Sequence, residues 1–161
     1  MLIREFDENT DMQDLRDCLI ELQDFERSYD PRMPLGRDIV DTYIPEMLRR
    51  CKRCDGKVLV ADIDGEIAGY ATVLARVRSD EPEDGDFEYG LVSDLVILRK
   101  FRKLGLARRL LAEAESHARA CGVKWLRVGV MAGNQVAKNL YSSIGFSDLY
   151  VELEKDLGSS D

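Results

Sequence analysis

The chain has 161 residues, 45% hydrophobic and 34% charged, with a formal net charge of -8. That length can bury one core without disulfides or metals, and the acidic balance argues against nucleic acid as a partner. Met1-Leu2-Ile3-Arg4 does not open a signal sequence, and no apolar run nears the roughly 20 residues that span a bilayer, so a single cytoplasmic domain over residues 1–161 with no membrane partner is expected.

Residues 2–6 read as a strand, and from Thr10 or Asp11 to about Glu26 the apolar positions Leu15, Leu19 and Leu22 recur at helical spacing. Asp30-Pro31-Arg32-Met33-Pro34-Leu35-Gly36 forms a turn, and a second helix is expected from about Arg37 to Cys51. Cys51-x-x-Cys54 lies at the end of that helix without a second ligand pair, so free thiols are expected and no metal site. Residues 57–62 and 66–77 form a hairpin around Asp64-Gly65. The intensely acidic run from Ser79 to Glu88 reads as a solvated loop; the alternative is a surface that attracts polycationic amines or a basic peptide.

Residues 90–98 are a near-continuous apolar run, as expected for a buried central strand. From Gly105 to Cys121 the pattern changes to a helix, with Leu106, Leu110, Leu111, Ala114 and Ala118 on one face and His117 on the polar side. The loop between them, with the first turn of that helix, holds Arg99, Lys100, Arg102, Lys103, Arg108 and Arg109, the most basic stretch of an acidic chain. Such a loop at a helix N-terminus suits a pyrophosphate, because unpaired N–H groups and a partial positive charge meet there. Gly105 sits where the backbone must approach a ligand or adopt a conformation closed to other residues. Taken alone, the loop is equally compatible with a solvated helix start.

Residues 124–130 alternate like a strand, with Trp125 expected in the core, and Ala132-Gly133-Asn134 turns into a short helix. Asn134 is an N-cap candidate that could also bond the amides of an extended ligand. Ala137 and Tyr141 share its face, small enough to admit that ligand and bearing a hydroxyl at its far end. Gly145 ends the helix, and Phe146 begins the final strands. The alternation of strands and helices predicts an α/β fold, a mixed sheet with helices on both faces.

With these motifs the chain resembles the GNAT superfamily of acyl-CoA-dependent N-acyltransferases. The family's Arg/Gln-x-x-Gly-x-Gly/Ala loop falls on Arg102, Gly105 and Ala107, and its Asn-x-x-Ala-x-x-x-Tyr-x-x-x-Gly-Phe element on Asn134, Ala137, Tyr141, Gly145 and Phe146. The strand Asp94-Leu95-Val96-Ile97 fits as well. The likeness covers residues 58–154, and the first 55 more loosely. Arg99 replaces a common proline, and Ser93 replaces an acidic residue often found before Asp94, which weakens any transfer of a catalytic carboxylate.

The resemblance implies a single domain with a mixed, mostly antiparallel sheet of about seven strands. Residues 1–55 would shape the acceptor side, and residues 56–154 would form the sheet and the CoA-binding core. It implies acetyl-CoA, or another acyl-CoA, as cofactor. Leu95, Val96 and Ile97 would hold the thioester and pantetheine; Arg102, Lys103, Leu104, Gly105, Leu106, Ala107 and Arg108 the pyrophosphate; and Asn134, Ala137 and Tyr141 the remaining arm. Direct attack by an amine then needs a base and an acid. Tyr141, with an ordinary pKa near 10 against about 8.5 for a thiol, is the candidate acid. Asp94 is a candidate base, with Glu88, Tyr89 or a water chain as rivals. Strict alternation would put Ser93 with Leu95 and Ile97 and Asp94 on the other face, a count that a bulge would alter. Phe25, Tyr29, Asp30, Arg32 and Glu88 are acceptor-side candidates, and Arg32 could meet a carboxylate.

The expected reaction is acetyl transfer from acetyl-CoA to a primary amine of a small molecule. Its alternatives are a protein or peptide acceptor and a non-catalytic acyl-CoA sensor. A homodimer through the final strands is compatible with the pattern.

Overall fold

Two consecutive left-handed residues, Asp64 (φ 54°) and Gly65 (φ 90°), turn the chain between β2 (Lys57–Ile63) and β3 (Glu66–Val77). Positive φ at both positions matches the right-handed twist of paired strands. The computed structural model describes residues 1–158. Among them the hairpin is extended by β1 (Leu2–Glu5) beside β2, and by β4 (Tyr89–Ile97) and β5 (Leu126–Val128) beyond β3. The order is β1-β2-β3-β4-β5, antiparallel up to β4, with β5 parallel to β4. β3 is central, and its residues 67–75 are all buried.

Helices cover both faces. On one, α1 (Met12–Arg27) and α2 (Gly36–Arg53) bury Leu15, Leu19, Val40, Ile44 and Met47 against Val60, Tyr70, Leu74 and Val96. On the other, α3 (Leu106–Ala120) and α4 (Gln135–Ser143) bury Leu106, Leu110, Leu111 and Tyr141 against Ala68, Ala71, Val73 and Val92. α1 starts from a part-buried ion pair. Asp11, 4% exposed, accepts from Arg4 Nη1 at 2.6 Å and Nη2 at 2.9 Å and from the Asp7 N–H at 2.8 Å. The Arg4 guanidinium, against the opposing effect of burial, holds the Asp11 carboxyl down at about 2.

The sheet differs from the expected seven strands. Residues 145–158 contain no strand, and Leu149, Tyr150, Val151 and Leu153 are exposed. A strand is defined by its ladder of partner hydrogen bonds, and β5, only three residues long, carries no second neighbour among the described residues. The strands through which dimerisation was expected are therefore not formed. Trp125 also departs from expectation, at 66% exposed. It precedes β5 and lies at the surface with Phe87 and Lys124.

Candidate active site

The site begins where β5 leaves β4. Their pairing covers Gly90↔Leu126, Leu91↔Arg127 and Val92↔Val128 and then stops, while β4 runs on to Ile97. Beyond Val92 the β5-facing edge of β4 has no strand partner among the described residues. On the other edge, Thr72 pairs with Asp94 and Val73 with Val92, which leaves Ser93 as an extra, bulged residue. A bulge bends and twists its strand. It also resets the alternation: Val92, Leu95 and Ile97 face α3, whereas Asp94 and Val96 face α1 and α2. Strict alternation fails for Ser93, which lies on the α2 side with Tyr43 and Met47 and donates its hydroxyl to Asp94 Oδ2 at 2.8 Å.

Next to the open edge, a single helical turn at Arg99–Phe101 leads into the basic loop. Lys103 (φ 66°) and Gly105 (φ 75°) are both left-handed. Alternating backbone hands turn successive N–H groups into a concave anion nest. The first helical bond of α3 is Arg109 N–H to Gly105 O at 3.3 Å, so the N–H groups of Leu106, Ala107 and Arg108 have no intrahelical acceptor. A Cβ at Gly105 would meet nothing within 4 Å; the space above it is open. Lys103 and Leu104 are exposed. Arg102 braces the loop: Nε donates to Ile97 O at 3.0 Å, Nη2 lies 3.3 Å from Glu21 Oε1, and the guanidinium sits 5.5 Å from the Phe25 ring centre. Glu21 also accepts the Arg99 N–H at 2.8 Å. Arg108 reaches across to Ser143 Oγ on α4 at 2.6 Å.

α4 is capped at both ends. Asn134 Oδ1 accepts the Ala137 N–H at 3.1 Å, which leaves the Nδ2 donors for another partner. At the other end, Gly145 (φ 99°) closes a Schellman motif, with Phe146 N–H bonded to Tyr141 O and Gly145 N–H to Ser142 O. This turn packs the Phe146 ring edge-on to Tyr141, with ring centres 5.7 Å apart. Tyr141 is buried on the α3 face, and its hydroxyl has no hydrogen-bond partner among the described residues. Burial, then the charge of Glu26, push the phenol up to about 12.

Asp94, 4% exposed, is held on the opposite face of β4. Its Oδ1 accepts the Tyr43 hydroxyl at 2.6 Å, while the neighbouring Thr72 hydroxyl donates to Met47 Sδ at 3.2 Å. Burial raises its pKa and the hydroxyl donors oppose that rise. Neither Tyr43 nor Glu26 was singled out in the sequence. Tyr43 stands one turn from the buried Val40 and Met47, and Glu26 continues the spacing of the α1 leucines, the signal that could have drawn attention to it.

The acceptor-side candidates divide. Phe25 and Tyr29 pack edge to face at 5.4 Å, and the Tyr29 ring lies over the turn before α4, where a Cβ on Gly133 would come within 3.0 Å of it. Arg32 is engaged by Asp30 at 2.7 Å and by Glu154 at 2.7 Å. Glu88 lies before β4 and pairs with Arg78 at 3.2 Å, roughly 20 Å along the strand direction from Leu95 at about 3.3 Å per residue. It is not brought together with the others.

Comparisons with known proteins identify the family and the fold. The sequence model of the Acetyltransferase (GNAT) family matches residues 19–146. The catalytic subunit ard1 of the N-terminal acetyltransferase A complex of Schizosaccharomyces pombe is 32% identical over 84 residues, 52% of this chain and 45% of that protein. N-acetyltransferase YycN of Bacillus subtilis is 29% identical over 92 residues, 57% of this chain and 55% of that protein. The chain thus spans about half the length of these curated relatives. In fold, it is similar to the tetramutant of BH1408 from Bacillus halodurans (TM-score 0.82, 20% identity, 98% of this chain and 100% of that one). It is also similar to the aminoglycoside N-acetyltransferase AAC(6')-Iy in complex with CoA (TM-score 0.66, 18% identity, 96% and 98%).

Proposed function

Because the chain belongs to the acetyltransferase (GNAT) family, we propose that it transfers an acetyl group from acetyl-CoA to the primary amine of a small molecule. The observation that carries this reading is one juxtaposition. The left-handed loop with its unpaired N–H groups, the open edge of β4 and the unpartnered Tyr141 hydroxyl belong to the same α3–α4 side of the sheet. The residues fit an acyl-CoA. The N–H groups of Leu106, Ala107 and Arg108, with Lys103 and the clear space at Gly105, suit the pyrophosphate. Leu104 lies exposed beside them. The backbone of Leu95, Val96 and Ile97 would pair with the pantetheine amides as a strand partner does, and Asn134 Nδ2 and Ala137 would border the same arm. Acetyl-CoA supplies an activated thioester.

Tyr141 suits the acid role for an electrostatic reason. With its pKa pushed up to about 12, the phenol stays protonated at neutral pH, and a departing thiolate of ordinary pKa about 8.5 is formed beside a ready donor. Asp94, held by Tyr43 and Ser93, would fix the bulge at Ser93 and could pass a proton through those hydroxyls.

A second reading, a peptide or protein acceptor, is favoured by the similarity to a subunit whose name specifies N-terminal acetylation. The test is acetyl-CoA-dependent release of free thiol with polyamines, aminoglycosides, amino acids and short peptides, run with calorimetric CoA binding. Turnover of one class assigns the acceptor. Failure to bind CoA would overturn the proposal.

A further inference from the structure

The last turn of α1 carries a charge where its pattern asks for an apolar residue. Leu15, Leu19, Leu22 and Glu26 follow at steps of four, three and four, which aligns them on one stripe of the helix. Leu15 and Leu19 are buried against the sheet. Glu26 is half-buried, and its carboxylate has no hydrogen bond or ion pair among the described residues. The titratable groups that face it are Asp94 on β4, Tyr43 on α2, Tyr70 on β3 and Tyr141 on α4. None of these is a cation. Phe25 precedes it on α1, and Tyr29, in the turn just after the helix, closes against Gly133 at the entrance to α4.

A carboxylate withdrawn from water without a partner destabilises a fold. Asp94 escapes this because hydroxyls from β4 and α2 donate to it. Glu26 has no such donors, and its charge acts both on the Tyr43–Asp94 pair and on Tyr141, the proposed acid. We propose that Glu26 binds the ammonium group of the acceptor and removes the proton that this group must lose before it can attack. The inference rests on the N-acetyltransfer reading above, and it deepens it by specifying a cationic primary amine as the acceptor.

The steps balance as follows. The ammonium gives one proton to a Glu26 oxygen, and the freed nitrogen lone pair forms the C–N bond to the thioester carbonyl carbon. The C–S bond then breaks, its electron pair leaves with sulfur, and sulfur takes the Tyr141 proton. The remaining excess proton on the amide nitrogen returns to the Tyr141 oxygen, and Glu26 releases its proton to water. Burial, and then the neighbouring Asp94 charge, raise the Glu26 pKa, which strengthens it as a base. Because the carboxylate form is the active one, activity rises as pH rises through that raised value.

The test compares Glu26→Gln and Glu26→Asp with the parent protein, using spermidine, kanamycin and a short peptide with a free N-terminus as probes. Glu26→Gln should lower kcat/KM about a hundredfold, within the range of general-base catalysis, and abolish the acidic limb of the pH profile. Glu26→Asp should recover part of the rate. CoA affinity should be unchanged, and the Glu26→Gln protein should melt no lower than the parent. In the CoA-bound protein, adding a bound amine should lower the Glu26 pKa read by carboxyl 13C NMR. An unaltered pH profile in Glu26→Gln, or a Glu26 carboxyl that no probe amine shifts, overturns the proposal. Loss of CoA binding in the parent protein would instead overturn the N-acetyltransfer reading.

Discussion

The two faces of the sheet handle recognition in different ways. On the α3–α4 face the proposed donor site is made of backbone: a left-handed loop, the first N–H groups of α3 and the unpaired edge of β4. On the α1–α2 face the proposed acceptor site is made of side chains, Glu26, Tyr43 and Asp94, brought together from three separate elements. A backbone site demands particular residues at fixed local spacing. A side-chain site demands only that distant positions converge. The first suits a ligand that never varies, and the second suits one that differs between relatives.

Gly105→Val should have the largest effect and would break the comparison if it failed. Valine is strained at φ 75°, and its side chain would occupy the open space over the loop. CoA affinity should fall on the order of a thousandfold, as expected for losing about three charge-assisted backbone bonds at about 1.5 kcal/mol each. Far-ultraviolet circular dichroism should be retained. Undiminished binding by calorimetry would mean that the donor site is not made of backbone. Tyr141→Phe comes next. It keeps the ring contact with Phe146 and removes the hydroxyl, so kcat should fall about a hundredfold with CoA affinity intact. Full turnover would exclude the acid role.

The same division decides what was legible in the sequence. The β2–β3 hairpin was readable because Asp64-Gly65 is a local signal for a local turn. The loop at Gly105 and the Asn134–Phe146 element were readable for the same reason. Ser93 was not, because a bulge depends on how β4 is registered against β3 and not on its own alternation. The count of strands failed beyond Phe146, where Leu149, Val151 and Leu153 alternate like a strand but pair with no strand among the described residues. Glu26 was within reach as a charge in the α1 stripe, yet only the fold shows that the stripe ends at Asp94 and Tyr141.

Asp11→Asn probes how α1, and with it the acceptor side, is anchored. The Asp11 pKa falls from 3.8 to about 2 in the folded protein, a contribution of about 2 kcal/mol at 1.36 kcal/mol per unit. Since the folded value lies below the unfolded one, this stability is present above about pH 4 and is lost as pH falls toward 2. The variant should unfold about 2 kcal/mol more easily in urea at pH 7, and the difference should vanish near pH 2. A gap that persists there would assign the loss to packing and not to the Arg4 ion pair.

The smallest effect lies at the joint between the two faces. Arg102 belongs to the donor loop, yet its guanidinium is held by Glu21 and Phe25 of α1. Glu21 also takes the Arg99 N–H, so one α1 carboxylate holds the loop at two points. Both side chains of the ion pair are more than a third exposed or close to it, at 40% and 35%, and such pairs contribute about 0.2–1 kcal/mol. A double-mutant cycle of Glu21→Ala and Arg102→Ala on CoA affinity should therefore give a coupling of about 0.5 kcal/mol, roughly a twofold change. If the same cycle on the KM of the acceptor gives a coupling of equal sign, α1 transmits the state of the donor loop to the acceptor side. Zero coupling in the acceptor KM would mean that the faces share a sheet but act separately.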